Sequence, residues 1–238
     1  MAYGIIFDLD GTLADTIDDI RNAINAMLVK LGYETRTKFE ILQFINNGAR
    51  ELVRRSLPTA IQNEELILES ALHIYEQEYA KAFCEKTRPF NGIHEVLTKL
   101  KEDKFKLAVL SNKQDAFVKT IVYKLFGDET FDVVRGQTSL PPKPDPAGAN
   151  IVAKELGVKQ SKCIFVGDSD VDMKTAISAK MRPVGVDWGY RSKELLIEAG
   201  ANYIASSPEE LIEHANEIRR IIIMEKKQRR RKKTDDED

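Results

Sequence analysis

Cysteine and long hydrophobic runs are both scarce in this sequence. Its 238 residues include two cysteines, Cys84 and Cys163, which lie far apart and in unlike contexts. A disulfide framework is therefore not expected, and a reducing, cytoplasmic location is the default expectation. No apolar run approaches the ~20 residues that cross a bilayer, and no signal-peptide core precedes the first predicted strand, so we expect no membrane partner.

A strong net charge of one sign is also missing. The sequence has 38 acidic and 36 basic residues, which gives a formal net charge of −2. No overall field therefore favours nucleic acid. The exception is the segment 225–238, EKKQRRRKKTDDED, whose basic block could attract a polyanion. No aromatic residue interleaves the basic ones, which favours a disordered tail or a frayed, solvated helix end and makes nucleic acid an unexpected partner.

The order of predicted elements indicates an α/β fold. Buried strands are expected near 4–9 and in the stretches KLAVLSN, FDVVRG, CIFVGDSD, PVGVDWG and NYIA, with helical patterns between them. Strands that alternate with helices predict a Rossmann-like parallel sheet covered on both faces. Residues 15–86 carry only helical patterns and are expected to form a helical insert, here called the cap, after the first strand. Residues 1–14 and 87–224 would then form the core.

Polar side chains follow the predicted strands at their carboxyl ends, where the ligand site of a parallel sheet lies. They are Asp8 and Asp10, Ser111 and Asn112, Lys143 in the loop LPPKPDP, and Asp168 with Asp170 and Asp172. Burying a charge is costly unless the charge is paired or bound to a metal. Carboxylates without histidine or thiolate partners suit a hard cation, most simply Mg²⁺. The sequence therefore predicts a magnesium site at this edge.

Four stretches in order, DLDGTLADT, LSN, KPDP and GDSDVD, resemble the motifs of the haloacid dehalogenase superfamily of phosphotransferases. The resemblance extends from Ile5 to about Ile212, and the insert is similar to that superfamily's helical cap at the type-one position. Two more stretches, INNGARELVRRSL and VDWGYRSKELLIEAGANYIASSPEEL, are most similar to phosphoglycolate phosphatases. The resemblance implies a Mg²⁺-dependent phosphatase that acts on a small phosphorylated metabolite. Among such metabolites, 2-phosphoglycolate is the favoured substrate.

The resemblance also implies catalytic roles. Asp8 would attack phosphorus and form an aspartyl-phosphate, and Asp10 would act first as general acid and then as base. One Asp8 oxygen, the Asp10 backbone carbonyl and Asp168 would bind Mg²⁺. Asp172 would hold metal-bound water or orient Lys143, whose ammonium would offset charge on Asp8 and on the phosphoryl group.

Substrate contacts are expected from two regions. The Ser111 hydroxyl and the Asn112 backbone amide would donate hydrogen bonds to phosphoryl oxygens, and Thr12 would orient Asp10 beside the substrate. In the cap, Arg50 and Arg54 share one face if a helix begins near residue 48, and arginine at a helix start suits a carboxylate. An exposed arginine stripe is more often only a solvated surface, so both interpretations stay open.

Three other functions also stay open from the sequence. They are a phosphomutase of the same fold, a pyrophosphate or nucleotide phosphatase, and a non-catalytic binding protein with a polyanion-binding tail. The last would be indicated by the loss of Asp8 or Asp10, and both are present. The sequence does not decide between a monomer and a homodimer.

Overall fold

A computed structural model describes residues 2–235 of the chain, with side chains through Gln228. Its strands are β1 (Tyr3–Phe7), β2 (Ala14–Asp15), β3 (Arg88–Pro89), β4 (Phe105–Gln114), β5 (Val133–Gln137), β6 (Cys163–Gly167), β7 (Arg182–Val186) and β8 (Tyr203–Ala205). Six of them form one parallel sheet in the order β5-β4-β1-β6-β7-β8. The expected parallel α/β fold is confirmed.

Helices connect the strands and cover the sheet. They are α1 (Ile17–Lys30), α2 (Lys38–Phe44), α3 (Gly48–Ser56), α4 (Glu65–Ala82), α5 (Ile93–Glu102), α6 (Asp115–Phe126), α7 (Ala147–Glu155), α8 (Asp170–Ser178), α9 (Lys193–Glu198) and α10 (Pro208–Asp235), with a 3₁₀ turn at Gln160–Lys162. Successive residues of a strand point to opposite faces. Ile5 and Phe7 accordingly pack in one apolar cluster and Ile6 in another, all three without exposed surface. Both faces of the sheet are therefore covered.

The cap helices α1 to α4 enclose an apolar core of their own, to which Ile24, Met27 and Leu68 contribute fully buried side chains. Asp15, the first residue of the insert expected at 15–86, is not in a helical segment but in a strand, because β2 pairs with β3 as a short antiparallel ribbon. This ribbon holds the two connections between cap and core side by side.

The segment expected as a charged tail, 225–238, continues α10 as far as Asp235, and residues 236–238 lie outside the described part of the chain. Its first residue, Glu225, forms an ion pair of 2.9 Å with Arg182 of β7. None of the helices in the described residues is long and apolar enough to span a lipid bilayer.

Candidate active site

The polar residues at the strand ends meet because β1 lies between β4 and β6 in the sheet. Asp8 directly follows β1, Asp168 directly follows β6, and Ser111 lies near the end of β4. The pairing of β4 with β5 is interrupted between Leu110 and Gln114. Ser111 lies within this irregular stretch of β4 and lines the same cavity as Asp8.

The turn after β1 needs a glycine. Gly11 has a φ of +84°, a conformation that residues with a Cβ rarely adopt, and a Cβ there would lie 2.2 Å from Asp168 Oδ2. The Gly11 N–H donates to the carbonyl of Ala14, which closes a tight loop. The glycine therefore allows the chain to reverse directly against the carboxylate at the end of β6.

Lys143 is the buried cation of the site. Its ammonium lies 2.8 Å from Asp8 Oδ1 and 2.7 Å from Asp172 Oδ1. Burial alone would lower the pKa of Lys143, but the two carboxylates raise it above its ordinary value, so the side chain stays charged. Asn112 positions its backbone, since the Asn112 side chain accepts from the Lys143 N–H and donates to the Lys143 carbonyl.

Asp172 is engaged on both carboxylate oxygens. Oδ1 accepts from Lys143, while Oδ2 accepts from the backbone N–H and the hydroxyl of Ser169. The Ser169 hydroxyl in turn accepts from the Asp172 N–H, which makes a capping box at the start of α8. This arrangement favours the expected role of orienting Lys143.

Asp168 is fully buried and keeps its carboxylate in place through two donors. The Thr12 hydroxyl donates to Oδ1 at 3.0 Å and the Tyr190 N–H donates to Oδ2 at 2.8 Å. Burial, followed by repulsion from Asp172, raises the pKa of Asp168 to about 7. Thr12 therefore orients Asp168, whereas the sequence suggested that it would orient Asp10.

The charges of this buried cluster do not balance. Oxygens of Asp8, Asp168 and Asp172 lie within 4.8 Å of one another. Lys143 is the one basic side chain that pairs with any of them among the described residues. Burial raises the pKa of Asp8 well above its usual range, with Lys143 acting in the opposite direction. When all three carboxylates are ionised, one ammonium leaves two negative charges, which a divalent cation that binds oxygen ligands would neutralise.

Asp10 lies outside that cluster and has partners of its own. Its Oδ1 accepts from the Thr16 hydroxyl at 2.6 Å and lies 3.1 Å from the Lys113 ammonium. Thr16 belongs to the entry segment of the cap, and its N–H donates to the Tyr190 hydroxyl. One oxygen of Asp10 is thus held by cap and core together, while Oδ2 accepts no hydrogen bond from the described residues.

A cavity of about 70 Å³ lies between core and cap above Asp8. Asp10, Ser111, Asn112, Lys143 and Ser169 line its core side. The cap side is mainly apolar, with polar groups where α3 begins and along α4. Its lining residues include Ile20, Ile45, Asn46, Leu52, Tyr75 and Tyr79.

Arg50 and Arg54 are not among the residues that line this cavity. Helix α3 does begin at Gly48, as the arginine hypothesis required. However, Arg50 forms ion pairs with Glu65 and Glu69 of α4. Arg54 donates to the carbonyl of Gln62 and pairs with Glu51. The geometry therefore does not support a role for these arginines in substrate binding.

Sequence reasoning missed several residues of the site. Lys113 directly follows the LSN motif, and this adjacency was a usable signal. Tyr79 lies on a helical apolar pattern that predicts an ordinary core residue. Asn46 has a φ of 90°, and its carbonyl accepts from the Asn112 side chain at 3.2 Å. No local pattern predicts that contact between cap and core.

Comparisons with known proteins agree with this geometry. Residues 5–186 match the family model described as haloacid dehalogenase-like hydrolase. A phosphoglycolate phosphatase of Colwellia psychrerythraea is 32% identical over 87% of this chain and 94% of its own length. Phosphoglycolate phosphatase 1 of Pseudomonas aeruginosa is 31% identical over 92% and 81%, respectively. The crystal structure of a predicted phosphoglycolate phosphatase from Haemophilus somnus covers 89% of this chain and 97% of its own, with 27% identity and a TM-score of 0.82.

Proposed function

The chain belongs to the haloacid dehalogenase-like hydrolases and is a phosphatase, and we propose that it hydrolyses 2-phosphoglycolate to glycolate and phosphate with the help of Mg²⁺. The substrate part of this proposal is supported by relatives at 31–32% identity that carry the name phosphoglycolate phosphatase.

The observation that carries the proposed chemistry is the charge imbalance beneath the cavity. Asp8 and Asp168 are buried carboxylates for which the described residues supply too little positive charge. Such an arrangement is costly in the free protein, and it becomes favourable when a dication and a phosphoryl group complete it. Asp8, Asp168 and the Asp10 backbone carbonyl would hold Mg²⁺, which would attract the phosphoryl oxygens and offset their negative charge.

In the proposed first step, a carboxylate oxygen of Asp8 forms a bond to phosphorus while the bond from phosphorus to the glycolate oxygen breaks. Asp10 donates its proton to the departing glycolate oxygen, which therefore leaves as a hydroxyl group and not as an alkoxide. Lys143 stays beside Asp8 throughout and offsets part of the charge on the phosphoryl group. The Ser111 hydroxyl is positioned to donate to a phosphoryl oxygen, since it lines the cavity and is 3% exposed.

In the second step, Asp10 removes a proton from a water molecule whose oxygen attacks phosphorus, and the bond between phosphorus and Asp8 breaks. Inorganic phosphate is released and both carboxylates return to their starting states. The Thr16 and Lys113 contacts hold one Asp10 oxygen, which leaves the other available for both proton transfers.

A panel of phosphate compounds tests this proposal. Phosphate release is measured with and without Mg²⁺ for 2-phosphoglycolate, glucose phosphates, pyrophosphate and nucleoside monophosphates. The proposal expects the highest kcat/KM for 2-phosphoglycolate. A preference for pyrophosphate or nucleotides would favour the alternative of a pyrophosphate or nucleotide phosphatase. Phosphoryl exchange between sugar phosphates without net release of phosphate would indicate a phosphomutase. No turnover of any compound would favour a binding protein.

A further inference from the structure

Two buried donors in the cap have no partner among the described residues. They are Nδ2 of Asn46 and the hydroxyl of Tyr79, and both residues line the cavity. Polar groups buried in this way normally have hydrogen-bond partners, because an unpaired group loses its hydrogen bonds to water and gains none in the protein. Their shared position on the cavity wall indicates that a ligand supplies the missing acceptor.

The Tyr79 ring cannot turn its hydroxyl toward solvent. The residue is 2% exposed, and its ring packs edge-on against Phe117 at a centroid distance of 5.0 Å and is stacked with Tyr75 at 5.7 Å. Burial raises the pKa of Tyr79 well above the ordinary value, so the hydroxyl keeps its proton and can donate. The hydroxyl is therefore a fixed, buried donor of a residue that lines the cap side of the cavity.

A third donor lies over the Tyr79 ring and belongs to another residue that lines the cavity. The Lys113 ammonium is 4.8 Å from the centroid of the Tyr79 ring, and its side chain is 9% exposed. It pairs with Asp10, but an ammonium carries three N–H donors, so it can serve another acceptor as well.

The start of α3 adds backbone donors to the same wall. Gly48 and Ala49, its first two residues, line the cavity, and Asn47 before them provides no side-chain hydrogen bond to the helix start. The first N–H groups of a helix have no partner within the helix and attract anions. Asn46, just before this start, has a left-handed φ of 90°, which its contact with Asn112 helps to maintain.

The ligand that suits these groups is a carboxylate. An amide, a hydroxyl, an ammonium and a helix start all donate, so the ligand has to accept. Lys113 also pairs with Asp10, and among the cap residues that the structure describes, Glu76 is the one acidic residue that lines the cavity. This limited positive charge favours a monoanion over a second phosphate group.

We propose that Asn46, Tyr79, Lys113 and the start of α3 form the subsite that recognises the substrate carboxylate. The inference rests on the proposed function, because it assigns the carboxylate of a short phosphorylated hydroxy acid to this wall while its phosphoryl group lies at Asp8. It replaces the arginine hypothesis, since Arg50 and Arg54 are engaged elsewhere.

Two variants and two substrates test the subsite. Tyr79→Phe removes one hydroxyl and keeps the ring, and Asn46→Gly removes the amide while suiting the left-handed φ. Both are compared with the parent on 2-phosphoglycolate and on ethyl phosphate, which has the same skeleton but no carboxylate. Each variant should lower kcat/KM for 2-phosphoglycolate at least about 10-fold more than for ethyl phosphate. Only 2-phosphoglycolate has a carboxylate, so only this substrate loses a charge-assisted hydrogen bond in the variants.

The matched control is Arg50→Ala, which should leave the ratio of the two kcat/KM values unchanged. Equal losses on both substrates, or a ratio that responds to Arg50→Ala instead of Tyr79→Phe, would overturn the subsite while the proposed function stands. If the parent does not hydrolyse 2-phosphoglycolate, the proposed function fails, and competition of this compound with p-nitrophenyl phosphate becomes the readout. A competition constant about 10-fold weaker in Tyr79→Phe would still support the subsite, and no competition, or no change in the variant, would overturn it.

Discussion

The ammonium nitrogen of Lys143 lies 2.8 Å from Oδ1 of Asp8, and both residues are only 6% exposed. The pair joins the loop before α7 to the first strand, and the same ammonium lies 2.7 Å from Oδ1 of Asp172. A charge this deeply buried is stable only while its partners remain. The contact therefore links the stability of the core to the chemistry of the site.

Replacing Lys143 by methionine should remove both functions of this contact. We expect kcat to fall roughly 10²–10³-fold, as for other lost donors to a reacting group. The free energy of unfolding should decrease by about 3–5 kcal/mol, because buried carboxylates lose their counterion. Steady-state kinetics and urea denaturation measure the two effects. Lys174→Met is the control, since Lys174 is exposed and its one ion pair among the described residues is with Asp170. Equal effects of both variants would contradict the prediction.

The two aspartates after β1 should behave differently when each is changed to asparagine. Asp8→Asn should abolish turnover because an amide oxygen is a far poorer nucleophile than a carboxylate. Asp10→Asn should slow turnover by roughly 10²–10⁴-fold through the loss of proton transfer. Phosphate release is the readout, with mass spectrometry of acid-quenched enzyme to detect phosphorylated Asp8. Activity of Asp8→Asn close to that of the parent would contradict the covalent mechanism.

Activity should depend on Mg²⁺ and disappear when the cation is chelated. Ca²⁺ should restore little activity, since it accepts more oxygen ligands at longer distances and would displace Asp8 from its attacking position. Mg²⁺ should also raise the thermal unfolding midpoint, because it binds the folded carboxylate cluster and not the unfolded chain. Asp168→Asn should greatly reduce this rise. Full activity in excess chelator would show that the cluster is not a functional metal site.

Removal of residues 229–238 should leave phosphatase activity nearly unchanged, because the catalytic candidates lie at or before Asp172. Truncation after Met224 additionally removes Glu225, whose partly exposed pair with Arg182 is worth at most about 1 kcal/mol. Kinetics and thermal unfolding of both truncated chains test this. Retardation on a polyanion column that depends on 229–238, together with a blank phosphate panel, would instead favour the binding-protein alternative.

The strand-end residues were predictable from sequence because topology alone brings them together. The carboxyl ends of adjacent parallel strands share one edge, so Asp8, Ser111 and Asp168 need no further information to meet. The partner of each carboxylate was less predictable. Whether Thr12 or Thr16 contacts Asp10 depends on the reversal at Gly11, which places Thr12 on Asp168.

The cap shows why helical spacing alone was not enough. Helix α3 begins at Gly48, as the arginine hypothesis assumed, but spacing says nothing about the neighbouring helix. Arg50 faces Glu65 and Glu69 on α4, so its charge is used within the cap. Tyr79 has apolar spacing, yet it lines the cavity and its buried hydroxyl lacks a partner among the described residues, and only the packing of α4 against the core reveals this.

The last prediction concerns Arg191, a core residue that holds the cap. Its guanidinium donates to the carbonyls of Leu42 at 2.6 Å and Ile45 at 3.3 Å, at the C-terminal end of α2. A positive charge at this end also suits the helix dipole. The next residue along the chain is Asn46, so the contact positions the segment that lines the cavity.

Arg191→Leu should therefore loosen the cap without disturbing the carboxylate cluster. We expect a higher KM for 2-phosphoglycolate with a smaller change in kcat. Amide hydrogen exchange should become faster in residues 42–49 but not in β1, whose hydrogen bonds lie within the sheet. Arg182→Leu is the matched control, because it removes a surface pair far from the cap in sequence. Faster exchange throughout the chain would mean that Arg191 supports overall stability. An unchanged KM would show that the contacts of Arg191 with the end of α2 do not affect substrate binding.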